Sequence, residues 1–418
     1  MALKSIKNLH PIVPMVAFAT IAYIAQMIFG LAPIEAADTA SYCTASRNEI
    51  FCDDFRFPVY PILLHILQLP YVDDVLMDSG GKVLVALQWV AWVIGALGVL
   101  RVSRQYGCSA KVCHIAMALL LVPSFWLFTA VVLPEEFCAV ALIWLVERSV
   151  AYLAAPSKSK ALHIGILTFV LIMLKPVFVY LVAVMAVFWL VAIATKRYRR
   201  SAVVGLVAVM LCGVGVLSYM YAIERKCNFK GVMTRAQVIN DYYMLREHDI
   251  IDAKDIVNDD LRRIYLAEKT DYGNYYREFH EMGLLNSYLL VQDVKKAHPG
   301  ALTKIRLEHF VTTLFHNVLC LEYIGHDYTK YIYFPFAAVW VVLLSFVAMA
   351  VRRWRARRRF PLDDYLLAAI LGGGYVATLW GAMHDWGRLL VPFGLVLTVL
   401  TVVTVSRIAI ALRGAAKR

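Results

Sequence analysis

Charge is scarce in this sequence. Of its 418 residues, 17% are Asp, Glu, Lys or Arg, where a soluble domain carries about 25%. Apolar residues make up 61%, more than a larger core would absorb. The short alternating segments of a membrane β-barrel are missing. So are internal repeats, low-complexity tracts and flexible linkers. Cys and His form no cluster with zinc spacing, although eight Cys are present. A soluble globule and a barrel are thereby set aside.

What the sequence has instead is apolar runs of about 14 to 23 residues, the length that crosses hydrocarbon as a helix. They predict an all-α membrane protein with about ten spans, near 11–32, 82–101, 112–133, 136–155, 161–175, 176–195, 201–222, 331–351, 362–383 and 389–411. The first run is too long for a typical signal-peptide core and is read as a retained span. The net charge is +12, yet Lys and Arg sit in short clusters between apolar runs, so no nucleic-acid partner is implied. With ten spans, every basic cluster falls on one side: Lys4/Lys7, Arg101/Arg104/Lys111, Lys158/Lys160, Lys196–Arg200, Arg352–Arg359 and Arg413–Arg418. The positive-inside rule makes that side the cytoplasm, with both termini there. The Arg352–Arg359 run would also touch anionic membrane lipid.

Two breaks decide this parity. Lys175-Pro176 splits the stretch 161–195, because Pro interrupts the helical ladder. Pro134-Glu135-Glu136 splits 112–155, because paired carboxylates are costly in lipid. Two long loops then face outward. The first, 33–81, is acidic and lies within a transmembrane module, 1–222. The second, 223–330, is polar, rich in Tyr and helical in pattern at Asp255–Lys269 and Tyr275–Val294, so a small domain is expected there. The chain closes with membrane helices over 331–418. Cys43 and Cys52 would share the first outer loop and could pair in an oxidising compartment. Cys227 and Cys320 bracket the second and are a weaker pair. Cys108 and Cys113 fall inside, and Cys138 and Cys212 read as small apolar residues of spans.

The richest stretch in chemistry follows the first span. Asp38 leads into Thr-Ala-Ser-Tyr42, and Arg56-Phe-Pro58-Val-Tyr60-Pro61 leads into a Leu-rich return to the membrane. This pattern resembles the GT-C superfamily of membrane glycosyltransferases, which use lipid-phosphate sugar donors and include the protein mannosyltransferases and aminoarabinose transferases. Members place a carboxylate after the first span, then a Pro-x-Tyr-Pro-Leu-Leu return, matched here by Asp38, Tyr42, Pro58, Tyr60, Pro61, Leu63 and Leu64. Many carry paired acids at the first position; here the neighbours are Ala37 and Thr39. Glu135/Glu136, Lys175-Pro176 and Arg388 with Pro392 resemble later features of the family, in the same order.

The resemblance implies transfer of a sugar from a polyprenyl-phosphate donor to a glycan, lipid or protein acceptor at the periplasmic face of a bacterial inner membrane. Such transfer needs a base for the acceptor proton and cations for the departing phosphate. Asp38 is the expected base, with Glu135 and Glu136 as further catalytic carboxylates. Arg388 would bind donor phosphate in a bidentate manner and Lys175 as a point charge. Tyr42, Arg56, Tyr60, His384 and Asp385 would line the substrate site. No cofactor is implied with certainty. A divalent cation is compatible with acids and phosphate in one site, but no ligand set is visible. Each residue has a plainer alternative: a loop acid or cap for Asp38, an interfacial anchor for Arg388, a snorkelling chain for Lys175. For the whole chain the alternatives are an O-antigen polymerase or ligase, a polyprenyl-lipid flippase or transporter, and a non-catalytic membrane subunit.

Overall fold

The computed structural model describes residues 10–36, 38–47, 53, 56–75, 78–195, 198–227, 235–270, 274–318, 322–323, 326–327, 333–357, 359–381 and 386–415. Its helices are α1 (Ile12–Ile28), α2 (Thr39–Arg47), α3 (Val59–Ile66), α4 (Ser79–Gln105), α5 (Ala110–Leu119), α6 (Glu135–Ala154), α7 (Lys158–Leu174), α8 (Tyr180–Ala194) and α9 (Arg199–Cys227). They continue with α10 (Arg235–Glu247), α11 (Asp259–Glu268), α12 (Tyr275–Ala297), α13 (Ala301–Thr312), α14 (Phe336–Arg357), α15 (Leu362–Gly381), α16 (Trp386–Leu390) and α17 (Gly394–Ala415). Among the described residues the only paired strands are Glu322–Tyr323 and His326–Asp327.

Local chemistry sets the boundaries. Ser109 and Ser157 cap α5 and α7 by accepting from Val112 N–H and Lys160 N–H, which satisfies donors that the first helical turn leaves open. After α7, Lys175 is extended and Pro176 opens a 3₁₀ turn, Pro176–Val179, before α8. The break expected at Lys175-Pro176 is therefore present. Glu135 and Glu136 occupy the first turn of α6, where carboxylates complement the helix dipole.

Among the described residues, seven helical stretches are long and apolar enough to cross a membrane. They coincide with the expected spans at 82–101, 136–155, 176–195, 201–222, 331–351, 362–383 and 389–411. The chain is a multi-pass α-helical membrane protein. On α9, Val203, Val207, Leu211, Val214 and Leu217 are exposed, the apolar exterior that hydrocarbon accepts and water does not. Two more expected spans appear as α1 and α7, each of 17 residues. At their helical rise they reach about 26 Å, a little less than the hydrocarbon thickness.

The remaining expected span, 112–133, needs correction. Only α5, ten residues long, is α-helical there. Pro123–Phe125 and Leu127–Ala130 then turn as 3₁₀ helices. Non-helical backbone in an apolar bundle must find partners inside the protein, and it does. The Gln88 side-chain amide donates to Thr129 O at 2.8 Å and to Val131 O at 2.9 Å. Val132 N–H donates to Ile34 O, and Ile34 N–H to Ala130 O. Replacing Gln88 by Leu removes this donor from Thr129 O and leaves Val131 O with Leu133 N–H alone, so a destabilisation of about 1–3 kcal/mol is expected, read as a lower unfolding midpoint in detergent.

Residues of α10 to α13 build a second core around Tyr242, Phe279, Leu290, Val291 and Val294. Glu278, fully buried, accepts from Arg246, Tyr242 and Thr270. This segment rests on the bundle through α13, where the Arg306 guanidinium lies 5.4 Å over the Trp380 ring and Phe310 packs 5.5 Å from Trp340. At the opposite end of α15, buried Asp364 pairs with Arg353 at 2.6 Å and Arg407 at 2.7 Å. One Arg of the 352–359 run thus ties α14 to α15.

Candidate functional site

The loop after α1 and the segment before α6 are stitched together. Ile34 and Val131 form a parallel β-bridge. The buried Thr39 hydroxyl donates to Val132 O at 3.1 Å, and Ala36 N–H donates to Thr39 Oγ1 at 2.9 Å. This bracket ties the loop that carries Asp38 to the segment that leads into Glu135, although 97 positions separate the two residues in sequence. Arg388 arrives from the other end of the chain. It sits on α16, just before the turn Val391–Phe393, and the Phe393 ring approaches α15 closely at Gly374, where a Cβ would collide with it.

The result is a junction centred on Asp38. Its Oδ1 lies 2.8 Å from an Arg56 guanidinium nitrogen and its Oδ2 lies 2.9 Å from one of Arg388. Arg56 is held from other sides as well. Its Nε donates to Ser41 Oγ at 2.8 Å, its backbone N–H donates to Asp53 Oδ1 at 2.6 Å, and its guanidinium stacks 4.2 Å over the Tyr42 ring. Tyr42 meets Tyr60 edge to face at 5.1 Å. Burial alone would raise the Asp38 carboxyl, but the Arg56 and Arg388 charges outweigh it and hold the group below its ordinary 3.8. Burial pushes the Tyr42 and Tyr60 phenols well up, so both rings stay neutral.

A second ion pair adjoins the first. Lys175 Nζ lies 2.9 Å from Glu135 Oε1, with both side chains nearly dry. The Lys175 charge also reaches Asp38. Glu136 is 2% exposed, and its Oε1 has no hydrogen-bond partner among the described residues. Removing one member of a buried ion pair leaves an uncompensated charge. Lys175→Met is therefore expected to cost about 3–5 kcal/mol, and Lys175→Met with Glu135→Leu to recover most of it, both read by thermal unfolding.

Of the residues singled out from sequence, Asp38, Arg56, Tyr42, Arg388, Tyr60, Lys175 and Glu135 come together. Glu136 stands beside them on α6. His384 and Asp385 lie outside the described residues. Cys43 is a free thiol; Cys52 and Cys320 are outside the described residues, as is the side chain of Cys227. Sequence reasoning missed Ser41, Thr39 and Gln88. Gln88 alone carried a signal, a polar amide inside an apolar run. Ser41 and Thr39 look like ordinary loop residues until the fold supplies their partners.

No family model matches this chain, and no curated protein matches it by sequence. Solved structures do. The oligosaccharyltransferase of Archaeoglobus fulgidus in its apo form aligns over 97% of this chain and 52% of its own, at 13% identity and a TM-score of 0.50. Over nearly all its length this chain has that fold. The same values hold for the archaeal oligosaccharyltransferase AglB of that organism in complex with an inhibitory peptide and a dolichol-phosphate. This chain spans about half the length (52%) of the oligosaccharyltransferase chains it matches. ArnT of Cupriavidus metallidurans, bound to undecaprenyl phosphate, aligns over 95% of this chain and 78% of its own at 14% identity and a TM-score of 0.39. The fold expected from the motifs is thus found, and the oligosaccharyltransferase carries that conclusion.

Proposed function

We propose that this protein is a membrane glycosyltransferase that moves a sugar from a polyprenyl-phosphate donor to a glycan, lipid or protein acceptor. The observation that carries the reading is the Arg56–Asp38–Arg388 junction beside Lys175, on a fold shared with an oligosaccharyltransferase. Two carboxylates, Asp38 and Glu135, beside three cations, Arg56, Arg388 and Lys175, suit a reaction that takes a proton and releases a phosphate. The apolar runs and basic clusters support a bacterial inner membrane, cytoplasmic termini and a periplasmic site. The helical segment 223–330 would stand over that site as a small domain, and its surface would select the acceptor.

The chemistry follows from the geometry. The acceptor oxygen or nitrogen attacks the anomeric carbon as the bond from that carbon to the phosphate oxygen breaks. The acceptor proton passes to Asp38. The polyprenyl phosphate leaves with its charge met by Arg388 in a two-pronged contact, while Lys175 adds positive potential from its place against Glu135. Direct displacement inverts the anomeric carbon. In the resting site Arg388 is bound to Asp38, so donor binding would exchange one anion for another. Arg56, held by Ser41, Asp53 and Tyr42, stays and orients the base. Tyr42 and Tyr60 supply an apolar wall.

Purified protein in proteoliposomes, supplied with a labelled polyprenyl-phosphate sugar and envelope extract, tests the reading. Label transfer that depends on Asp38 supports it. Near-normal transfer by Asp38→Asn would instead favour the chemistry of an O-antigen polymerase or ligase. Label crossing the bilayer without transfer would identify a flippase.

A further inference from the structure

Away from this junction, the helical segment brings two imidazoles and a carboxylate together. Glu247, His248 and His309 each present one ligand atom, and those three atoms lie within 4.8 Å of one another. His248 and His309 are far apart in sequence, so no spacing motif shows them. We infer that they form a binding site for a divalent cation of the zinc type, which clips the end of α10 to α13.

The backbone aims the first two ligands. α10 ends in a turn in which Ile250 N–H donates to Leu245 O and Asp249 N–H to Arg246 O, with Asp249 at φ 51°. This is a Schellman closure, with a side chain in the left-handed region where Gly is usual. It leaves Glu247 as the last helical residue and His248 as the cap. His248 Nδ1 lies 2.9 Å from Met244 O. A carbonyl only accepts, so Nδ1 carries the proton and Nε2 keeps its lone pair for a metal. Metal-bound His are commonly oriented by such a bond to a backbone carbonyl. The His248 and His309 rings are 5.4 Å apart at 51°.

The donor set selects the ion. Two imidazoles and one carboxylate suit zinc and its neighbours, whereas magnesium and calcium prefer oxygen alone. Tetrahedral ligation at about 2.0–2.2 Å places ligand atoms about 3.4 Å apart. From separations within 4.8 Å, reaching it needs at most about 1.4 Å of closure between any two ligand atoms. Three protein ligands leave a fourth position for water.

The location gives the site a consequence. His309 is three residues after Arg306, which stacks on Trp380 and binds buried Asp241 at 2.5 Å. It directly precedes Phe310, which packs on Trp340. An ion there would fasten α10 to the helix that seats this segment on α14 and α15, and α15 ends shortly before Arg388.

The test uses the full chain in detergent. After chelator treatment, zinc is titrated and bound metal is measured by mass spectrometry following dialysis. One equivalent is expected, with a rising thermal midpoint, and affinity at least about tenfold weaker in His248→Ala and in His309→Ala. Cobalt should give the visible absorption of a four-coordinate ion in the wild type, a readout independent of whether the variants fold. Asp38→Asn should bind zinc as the wild type does, which separates this site from the proposed transferase chemistry. No bound zinc, zinc displaced by equal magnesium, or affinity within twofold of wild type in both His variants would overturn the inference.

Discussion

Replacing Asp38 by Asn should lower the turnover of sugar transfer by about 10²- to 10⁴-fold, the usual worth of a positioned base, while donor binding is kept or tightened. The two effects have one cause. Asn cannot take the acceptor proton, and it no longer neutralises Arg388, whose guanidinium now lies 2.9 Å from the carboxylate. Polyprenyl phosphate would meet a cation without a competing anion. A merely structural Asp38 would behave differently: its loss would weaken binding and turnover together. The pH profile gives a second check. The Asp38 carboxyl sits below its ordinary 3.8 because Arg56 and Arg388 outweigh burial. Its folded value is depressed, so the ion pairs are present above the unfolded value and are lost as pH falls through the folded one. The acid limb of kcat/KM, which reports the free enzyme, is expected below pH 3.8. The acid limb of kcat should lie higher, because on the proposed mechanism Arg388 would turn to phosphate in the donor complex and a new negative charge would face Asp38. Coincident limbs would rule out the exchange of Arg388 between the two anions.

Replacing Arg388 by Ala should cost about 10²- to 10³-fold in kcat/KM for the donor, the range for losing one preorganised donor to a developing charge. KM should rise as well as kcat fall, since the guanidinium would hold phosphate in both ground and transition states. Arg388→Lys is expected to recover only part of the loss, because an ammonium cannot make the two-pronged contact. Arg56→Lys serves as the comparison. Arg56 is held by Ser41, Asp53 and Tyr42, so its replacement should disturb turnover more than donor KM. Equal KM effects at both positions would show that the two arginines share one role.

The sequence already displays the features that depend on local runs. Apolar length and the basic clusters give the spans, and Pro176 gives a break that the structure reproduces. The segment 112–133 was misread because apolar content reports a suitable environment, not a helical backbone. Its ladder is broken at Pro123, and the carbonyls are satisfied by Gln88, more than 30 positions earlier. The candidate site residues could be chosen individually by type and position, Asp38 after the first span and Arg388 before the last. Their pairing could not.

Composition and periodicity by themselves determined that this is an all-α membrane chain and which polar residues interrupt it, because burial in hydrocarbon acts on each segment alone. Only the tertiary structure decided that Asp38 is clamped between two arginines, that Lys175 is committed to Glu135, and that His248 meets His309. Those contacts join residues separated by tens to hundreds of positions. They exist because buried charges and open carbonyls need partners, and the packed bundle settles which partners are within reach.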